Sequence, residues 1–441
     1  MIFALILLAL SAPLRAPAQS LPRALGARIF TLTSHPGFFS EPSVAVNPLN
    51  PQQVVVAFQS KDHVAYSLDA GRHWQLAKGV APSHYRVSGD VSVVYDNKGH
   101  AILCSIAFDK LGTDQYWAHN ATRNGIFVRR SLDGGKTWEK RLISVIAHAS
   151  DPGIPFEDKP YIVADDTSGP YAGTLYVGWT HFTLTESEIY FSRSTDDGVT
   201  WSQPAVISTH PGLPRDDNGD VEGFTGAVTP DGTLCVAWTD GYHIVYTASH
   251  DGGRTFAPTR DIINTAPAYF GIGGVSRCNG FPEIAANPRN GLLYVTWGDY
   301  RNGDVDVFAS TSNDHGRTWS AAVRVNNDAV HDGADQFFQW PAVDPVTGDV
   351  YVVFYDRRGD PSNQNAVVVL ARSTDEGRTF ANYAWSVKPF DAQGDFIGDY
   401  TGIAVYNGRV YGAWTERPAL RFSRKGHQTI VRVGVADLGR Q

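Results

Sequence analysis

The chain has 441 residues, 42% of them hydrophobic, with 43 Gly, 25 Pro and one Met, which is enough for a large core in a turn-rich β composition. Its formal charge of −8 excludes sequence-blind attraction to nucleic acid or anionic membranes. No basic run, P-loop or zinc-type Cys/His spacing occurs.

The first element is the apolar run Met1 to Leu10, too short to span a bilayer. Ala16-Pro17-Ala18 follows in the manner of a cleavage site. Residues 1–18 are therefore expected to be a signal peptide. The mature chain, 19–441, is expected to be a single domain without a membrane span, secreted or periplasmic. Asn120-Ala121-Thr122 fits a glycosylation sequon. Cys104 and Cys235 lie in apolar strand-like runs and Cys278 in a Gly-rich loop, with a Cys235–Cys278 bridge left open.

Beyond Arg28-Ile-Phe-Thr-Leu-Thr33, a strand-like run, the chain repeats itself. Six copies of Ser-x-Asp-x-Gly-x-(Thr/His)-(Trp/Phe) begin at Ser67, Ser131, Ser194, Ser249, Ser312 and Ser373, at steps of 64, 63, 55, 63 and 61 residues. Each copy follows a strand-like run and precedes another, so it reads as a tight turn between strands. The Asp suits an Asx-type turn, the Gly a positive φ, and the Trp or Phe a plug between units. This is a structural role, and nothing in it requires catalysis.

A second series is longer. Aromatics close an apolar strand at Phe58, Phe108, Trp179, Trp238, Trp297, Phe354 and Trp414. A third, beginning at Pro42, Val91, Pro160, Phe224, Phe281, Trp340 and Tyr400, precedes each of them. Each unit is thus strand A, turn, strand B, loop, strand C, boxed turn, strand D, the pattern of a propeller blade. The seventh unit lacks a box and a strand D. The run from Arg28 can supply that strand and so remove an exposed edge. The expected fold is all-β, a seven-bladed β-propeller of four-stranded antiparallel blades closed by the N-terminal strand, with six blades as the alternative.

These boxed repeats resemble the Asp-box (BNR-repeat) propellers of the sialidase-like superfamily, over nearly the whole mature chain. The resemblance implies an exported carbohydrate-active protein, in its narrowest form an exo-α-sialidase releasing a terminal acidic sugar. Sialidases use three arginines to clamp the sugar carboxylate, an Asp acid/base, and a Tyr nucleophile helped by a Glu. The nearest match to the family's first arginine motif, Arg-Ile-Pro, is Arg28-Ile29-Phe30, which lacks the Pro.

Propeller topology sorts A–B turns and boxed turns to one face, and B–C and D–A loops to the other. The B-strand ends on that second face carry His181, Asp240, Asp299, Arg301, Asp356, Arg358, Glu416 and Arg417. One reading brings Arg301, Arg358 and Arg417 into one cleft, where guanidinium forks would hold an acidic sugar. Asp299, Asp356 or Glu416 would then supply acid/base chemistry, Tyr355 or Tyr400 a nucleophile or stacking platform, and His181 part of the lining. The other reading makes the acid–arginine pairs structural ties, in a non-catalytic propeller binding glycan or protein. A-strand starts add Glu41, Asp90, Asp158-Lys159, Glu222, Asp335, Asp395, Asp399 and Tyr400. Tyr116 and Trp117 sit in a long insertion, where they could stack on a sugar.

The expected partner is a glycan or glycoconjugate, with no nucleic acid, and the expected state is a monomer without organic cofactor. The oxygen-rich stretches Asp216 to Asp220 and Asn302 to Asp306 leave a structural calcium open.

Overall fold

A computed structural model describes residues 21–110, 123–149, 155–216, 218–264, 269–275, 277–386, 388–392, 396–418 and 428–439. The proposed signal peptide, the sequon, Tyr116, Trp117 and Asp395 lie outside these residues.

Seven four-stranded antiparallel blades form the molecule, each built from strands in sequence order except the last. Their innermost strands are Ser40–Val46, Val87–Tyr95, Phe156–Ala164, Val221–Val228, Glu283–Ala286, Gln336–Val343 and Gly402–Tyr406. Each packs against the next and the seventh returns to the first, closing a ring about a central axis. In blade 7 the outermost strand is the N-terminal Arg28–Thr31, antiparallel to Ile430–Asp437 with Arg28 opposite Val435 and Thr31 opposite Arg432. The seven-bladed closure expected from the repeats is the one observed.

The second-strand aromatics explain why the blades stack. Phe58, Phe108, Trp179, Trp238, Trp297, Phe354 and Trp414 are all essentially without exposed surface. One apolar cluster fills the gap between each neighbouring pair of blades. Each aromatic removes roughly 150–250 Å² from water, so blade-to-blade adhesion is mainly hydrophobic.

The six boxed turns share one geometry. At Ser312, Oγ donates to Asp314 Oδ1 at 2.8 Å and accepts from the Gly316 N–H at 2.9 Å, while Asp314 accepts the Thr318 N–H at 2.9 Å. Gly316 has φ +75°, and a Cβ there would meet the Tyr246 ring at 2.2 Å. The Trp319 indole donates to the Gly316 carbonyl at 3.2 Å. The Ser, Asp and Gly groups of the motif are used within the turn, which fits a structural role, and the His315 carbonyl accepts the Tyr246 hydroxyl of the neighbouring blade at 3.0 Å.

The inner strands are less regular. Five carry a bulge near their start, between Ser40 and Ser43, Gly89 and Ser92, Asp158 and Tyr161, Glu222 and Thr225, and Phe337 and Trp340. At these bulges Glu41 (φ 54°), Asp90 (47°), Lys159 (45°) and Phe338 (54°) adopt left-handed backbone, a conformation costly for residues with a Cβ. A bulge re-aims side chains, and strain of this kind concentrates at functional sites. All three cysteines are buried and free, so Cys235 and Cys278 do not pair.

Candidate functional site

The bulged strand starts bring charged side chains together at the mouth of the axis. Lys159, on blade 3, pairs with Asp399 of blade 7 and lies 3.8 Å from Glu222 Oε1 of blade 4. Arg277 Nε donates to Asp399 Oδ1 at 2.9 Å, its Nη2 reaches Asp399 Oδ2, and its Nη1 reaches Asp216 Oδ2 at 2.6 Å. The Tyr269 hydroxyl donates to Glu222 Oε2 at 2.6 Å. One oxygen each of Asp158, Asp216 and Glu222 lie within 4.8 Å of one another. Below them a cavity of about 40 Å³ runs along the axis past Glu283, Tyr161, Trp340 and Tyr400.

Two loops complete the cluster. Asn218, in the oxygen-rich stretch, accepts the Tyr269 N–H at 3.0 Å and donates to the Tyr269 carbonyl at 2.8 Å. This staple sets the ring against Glu222. The Arg277 guanidinium lies 5.6 Å from the Tyr269 ring and 5.2 Å from Phe396, which is partly exposed at the mouth.

Six carboxyls (Glu41, Asp90, Asp158, Asp216, Glu222 and Asp399) thus share the cluster with two cations, Lys159 and Arg277. The excess acid moves their protonation. Burial, and then repulsion from Asp216, raises Glu222 to about 7. Burial and the neighbouring Asp90 and Asp216 hold Asp158 well above the usual carboxylate range, with Asp90 hydrogen-bonded to it. Burial, Asp90 and Asp399 do the same to Glu41. For Asp399 burial acts upward, but Arg277 and Lys159 outweigh it and bring it to about 2. Burial and Glu222 keep Tyr269 protonated. The result is one carboxylate, Asp399, whose ionised form the two cations favour, beside Glu41, Asp158 and Glu222, whose protonated forms burial and neighbouring acids favour.

The strand-start residues Glu41, Asp90, Asp158, Lys159, Glu222 and Asp399, and Asp216 from the oxygen-rich stretch, come to this cluster; of the other candidate site residues read from the sequence, Tyr400 does. It lines the cavity, and Glu41, Asp90 and Asp399 add to burial in raising its phenol. The B-strand-end residues are held by partners within their own or the adjoining blade. Asp299 accepts the Trp297 indole at 2.8 Å and the Arg301 Nε at 2.9 Å, and Arg301 lies 4.5 Å from the Phe308 ring. Asp356 accepts Arg358 Nε at 2.7 Å, and Arg358 also donates to Asn327 at 2.6 Å and Asn382 at 3.0 Å. Glu416 bonds the Trp414 indole at 2.8 Å and Arg432 at 2.9 Å, while Arg417 lies 3.9 Å from Asp391. Tyr355 is fully buried, its hydroxyl on the Thr415 carbonyl at 2.8 Å. His181 sits against buried Glu157 at 2.9 Å, which also holds His148 at 2.5 Å.

Tyr269, Arg277 and Glu283 had no motif to mark them. Tyr269 and Arg277 lie in the long loop between blades 4 and 5, beside the short paired segments Tyr269–Phe270 and Cys278–Asn279. The usable signals were the length of that loop and its Gly content, which brings backbone over the axis.

No family model matches the chain. The xyloglucanase Xgh74A of Acetivibrio thermocellus is 24% identical over 294 residues, 59% of this chain and 29% of that protein. The chain thus spans less than a third of that curated relative's length. Among solved structures, a leech intramolecular trans-sialidase aligns with TM-score 0.51 at 13% identity, over 82% of this chain and 70% of that one. An ulvan lyase of a polysaccharide lyase family aligns with TM-score 0.51 at 11% identity, over 92% and 95%. These likenesses are of fold, to sialidase-like propellers that include glycosidases and lyases.

Proposed function

We propose that the chain is a carbohydrate-active enzyme, a retaining glycoside hydrolase whose reaction centre is the axial cluster. The observation that carries this reading is the Tyr269–Glu222 pair, a phenol 2.6 Å from a buried carboxyl. A phenol is a weak nucleophile until a base accepts its proton. Glu222, deprotonating near neutrality, is placed to accept it as Tyr269 bonds to the anomeric carbon. Asp158, protonated and bonded to Asp90, gives its proton to the departing glycosidic oxygen. Water then cleaves the tyrosyl–sugar bond, with Asp158 taking a proton back and Glu222 returning one to Tyr269.

The Asp-box resemblance, and the carbohydrate-cleaving activities named for the structural neighbours and for the xyloglucanase, favour the same substrate class.

The exo-sialidase form of this reading needs guanidinium groups for a sugar carboxylate. Among the described residues of the cluster Arg277 is the guanidinium, and Asp399 and Asp216 already hold it. We therefore place terminal neutral sugars ahead of sialic acid. The test is a panel of fluorogenic neutral glycosides, uronides and sialosides, with Tyr269→Phe and Glu222→Gln alongside wild type. Release from a neutral glycoside, lost in both variants, is expected. If nothing on the panel is cleaved, or if both variants keep wild-type rates, the catalytic reading fails and the non-catalytic glycan-binding propeller takes its place.

A further inference from the structure

The face opposite the cluster gathers cations at one place. There, two grooves adjoin across the boxed turn of blade 3. The first, about 370 Å³, is lined by Arg130, Lys140 and Arg141 of blade 2, with Glu139 and Asp197. The second, about 240 Å³, is lined by Lys98, Arg193 and Arg254, from blades 2, 3 and 4, again with Asp197. Arg129 borders the first groove too, but its guanidinium is turned to the Gly79 carbonyl at 3.0 Å. Six cations therefore face two carboxylates, in a chain whose overall charge is −8.

The two carboxylates are already engaged. Asp197 takes Lys98 Nζ at 2.6 Å and Glu139 takes Arg130 Nη2 at 2.9 Å. That leaves Lys140, Arg141, Arg193 and Arg254 without a carboxylate partner among the described residues. Lys140, Arg141 and Arg254 are exposed and Arg193 is half-buried. Like charges gathered this way repel, and an anion bridging them relieves the repulsion.

We propose that these grooves are a second binding site, for an anionic polysaccharide bearing sulfate or carboxylate on successive sugars. Arginine forks match either group, and the site spans two grooves, so a ligand with repeated anions gains over a single ion. Asp197 stands between the grooves and Glu139 beside one of them. A polymer with one anion per sugar can step over them, whereas the dense phosphates of a nucleic acid would be pressed against both. The Tyr171 ring, in the wall of the second groove and 5.8 Å from the Arg254 guanidinium, adds a surface for a sugar face. Such a site would hold a polymer on the protein without competing for the axial cluster. The choice of a polysaccharide leans on the glycan reading above, and the demand for repeated anions does not.

The test is isothermal titration of the full chain with dextran sulfate, polygalacturonate, neutral dextran and a single-stranded oligonucleotide, at about 50 and 200 mM salt. Binding of one or both anionic polysaccharides is expected, weakening with salt, with none to neutral dextran. Lys140→Glu with Arg141→Glu, both exposed and far from Tyr269, should weaken it by about tenfold or more. Thermal melting checks that this double variant is folded, and Arg193→Gln gives an independent reading in the second groove. Absence of polyanion binding at low salt, unchanged affinity in the variants, or an oligonucleotide binding tighter than both polysaccharides would overturn the proposal. Binding here with no cleavage on the glycoside panel would sink the catalytic reading alone.

Discussion

Asp399 is the residue on which the axial cluster's charge balance rests, and replacing it with Asn tests that directly. Its carboxylate, with no exposed side-chain surface, holds Lys159 and Arg277 together. Its carboxyl is lowered from 3.8 to about 2. A carboxyl lowered to this extent contributes on the order of 2 kcal/mol to folding stability above its unfolded value. Breaking a buried pair by removing one partner costs somewhat more, about 3–5 kcal/mol, since the other charges remain buried. Here the loss is softened, because Arg277 keeps Asp216 at 2.6 Å and Lys159 keeps Glu222 at 3.8 Å. Asp399→Asn is therefore expected to be about 2–4 kcal/mol less stable than wild type at pH 7, by urea unfolding with m held in common. The sign with pH follows from the direction of the shift. A depressed carboxyl stabilises the fold above its unfolded value and loses that contribution as pH falls through its folded value. The gap between wild type and variant should thus be full above about pH 4 and mostly gone near pH 2. A gap under about 0.5 kcal/mol at pH 7, or one equally large at pH 2, would refute the clamp.

Four further outcomes follow from the structure. Glu222, raised to about 7, must lose its proton to assist Tyr269, so cleavage should rise with pH through about 7; Glu222→Gln should remove that limb and lower kcat/KM by about 10²–10⁴. The raised value also means that wild-type stability falls between about pH 4.5 and 7, and Glu222→Gln should flatten this part of the profile in thermal melts. Arg358, 4% exposed with three partners, should cost about 2–4 kcal/mol as Ala, against about 1 kcal/mol or less for Arg417, which is 26% exposed; equal losses in urea unfolding would argue against their different burial as the cause. Asp314→Ala strips the acceptor from a boxed turn and should lower stability by about 1–2 kcal/mol while leaving cleavage unchanged, read by melting and by the glycoside panel.

The architecture was legible because it is written in spacing. Blade number followed from Phe58, Phe108, Trp179 and their counterparts, which recur because each must plug an inter-blade gap. The closing strand followed from the absence of a box in the seventh unit. The B-strand acids were visible in the sequence for a structural reason. Asp299 and Glu416 recur two residues after a Trp because that spacing lets the carboxylate take the indole N–H, at 2.8 Å in both blades. Repetition in register reports a requirement of the blade, whereas a reaction centre needs each part once.

The axial cluster was legible only in part, as a row of strand starts. Glu41, Asp90, Lys159 and Asp399 each stand one residue before an inner-strand run, Asp158 and Glu222 two before, whereas Tyr269 and Arg277 arrive on the loop between blades 4 and 5 and carry no such register. What unites them is backbone that departs from the strand. Ordinary inner strands alternate side chains between the two neighbouring blades, and an unbroken alternation would leave none aimed along the axis. An extra residue in left-handed conformation breaks the alternation and turns a side chain inward. Gly or Asn would accept such a φ most readily, yet the chain uses Glu41, Asp90 and Lys159 there. The backbone cost of these charged side chains is carried in three separate blades, and Phe338 bears it at the equivalent bulge of blade 6, so the bulge belongs to the architecture while the charges placed on it in blades 1 to 3 make the cluster.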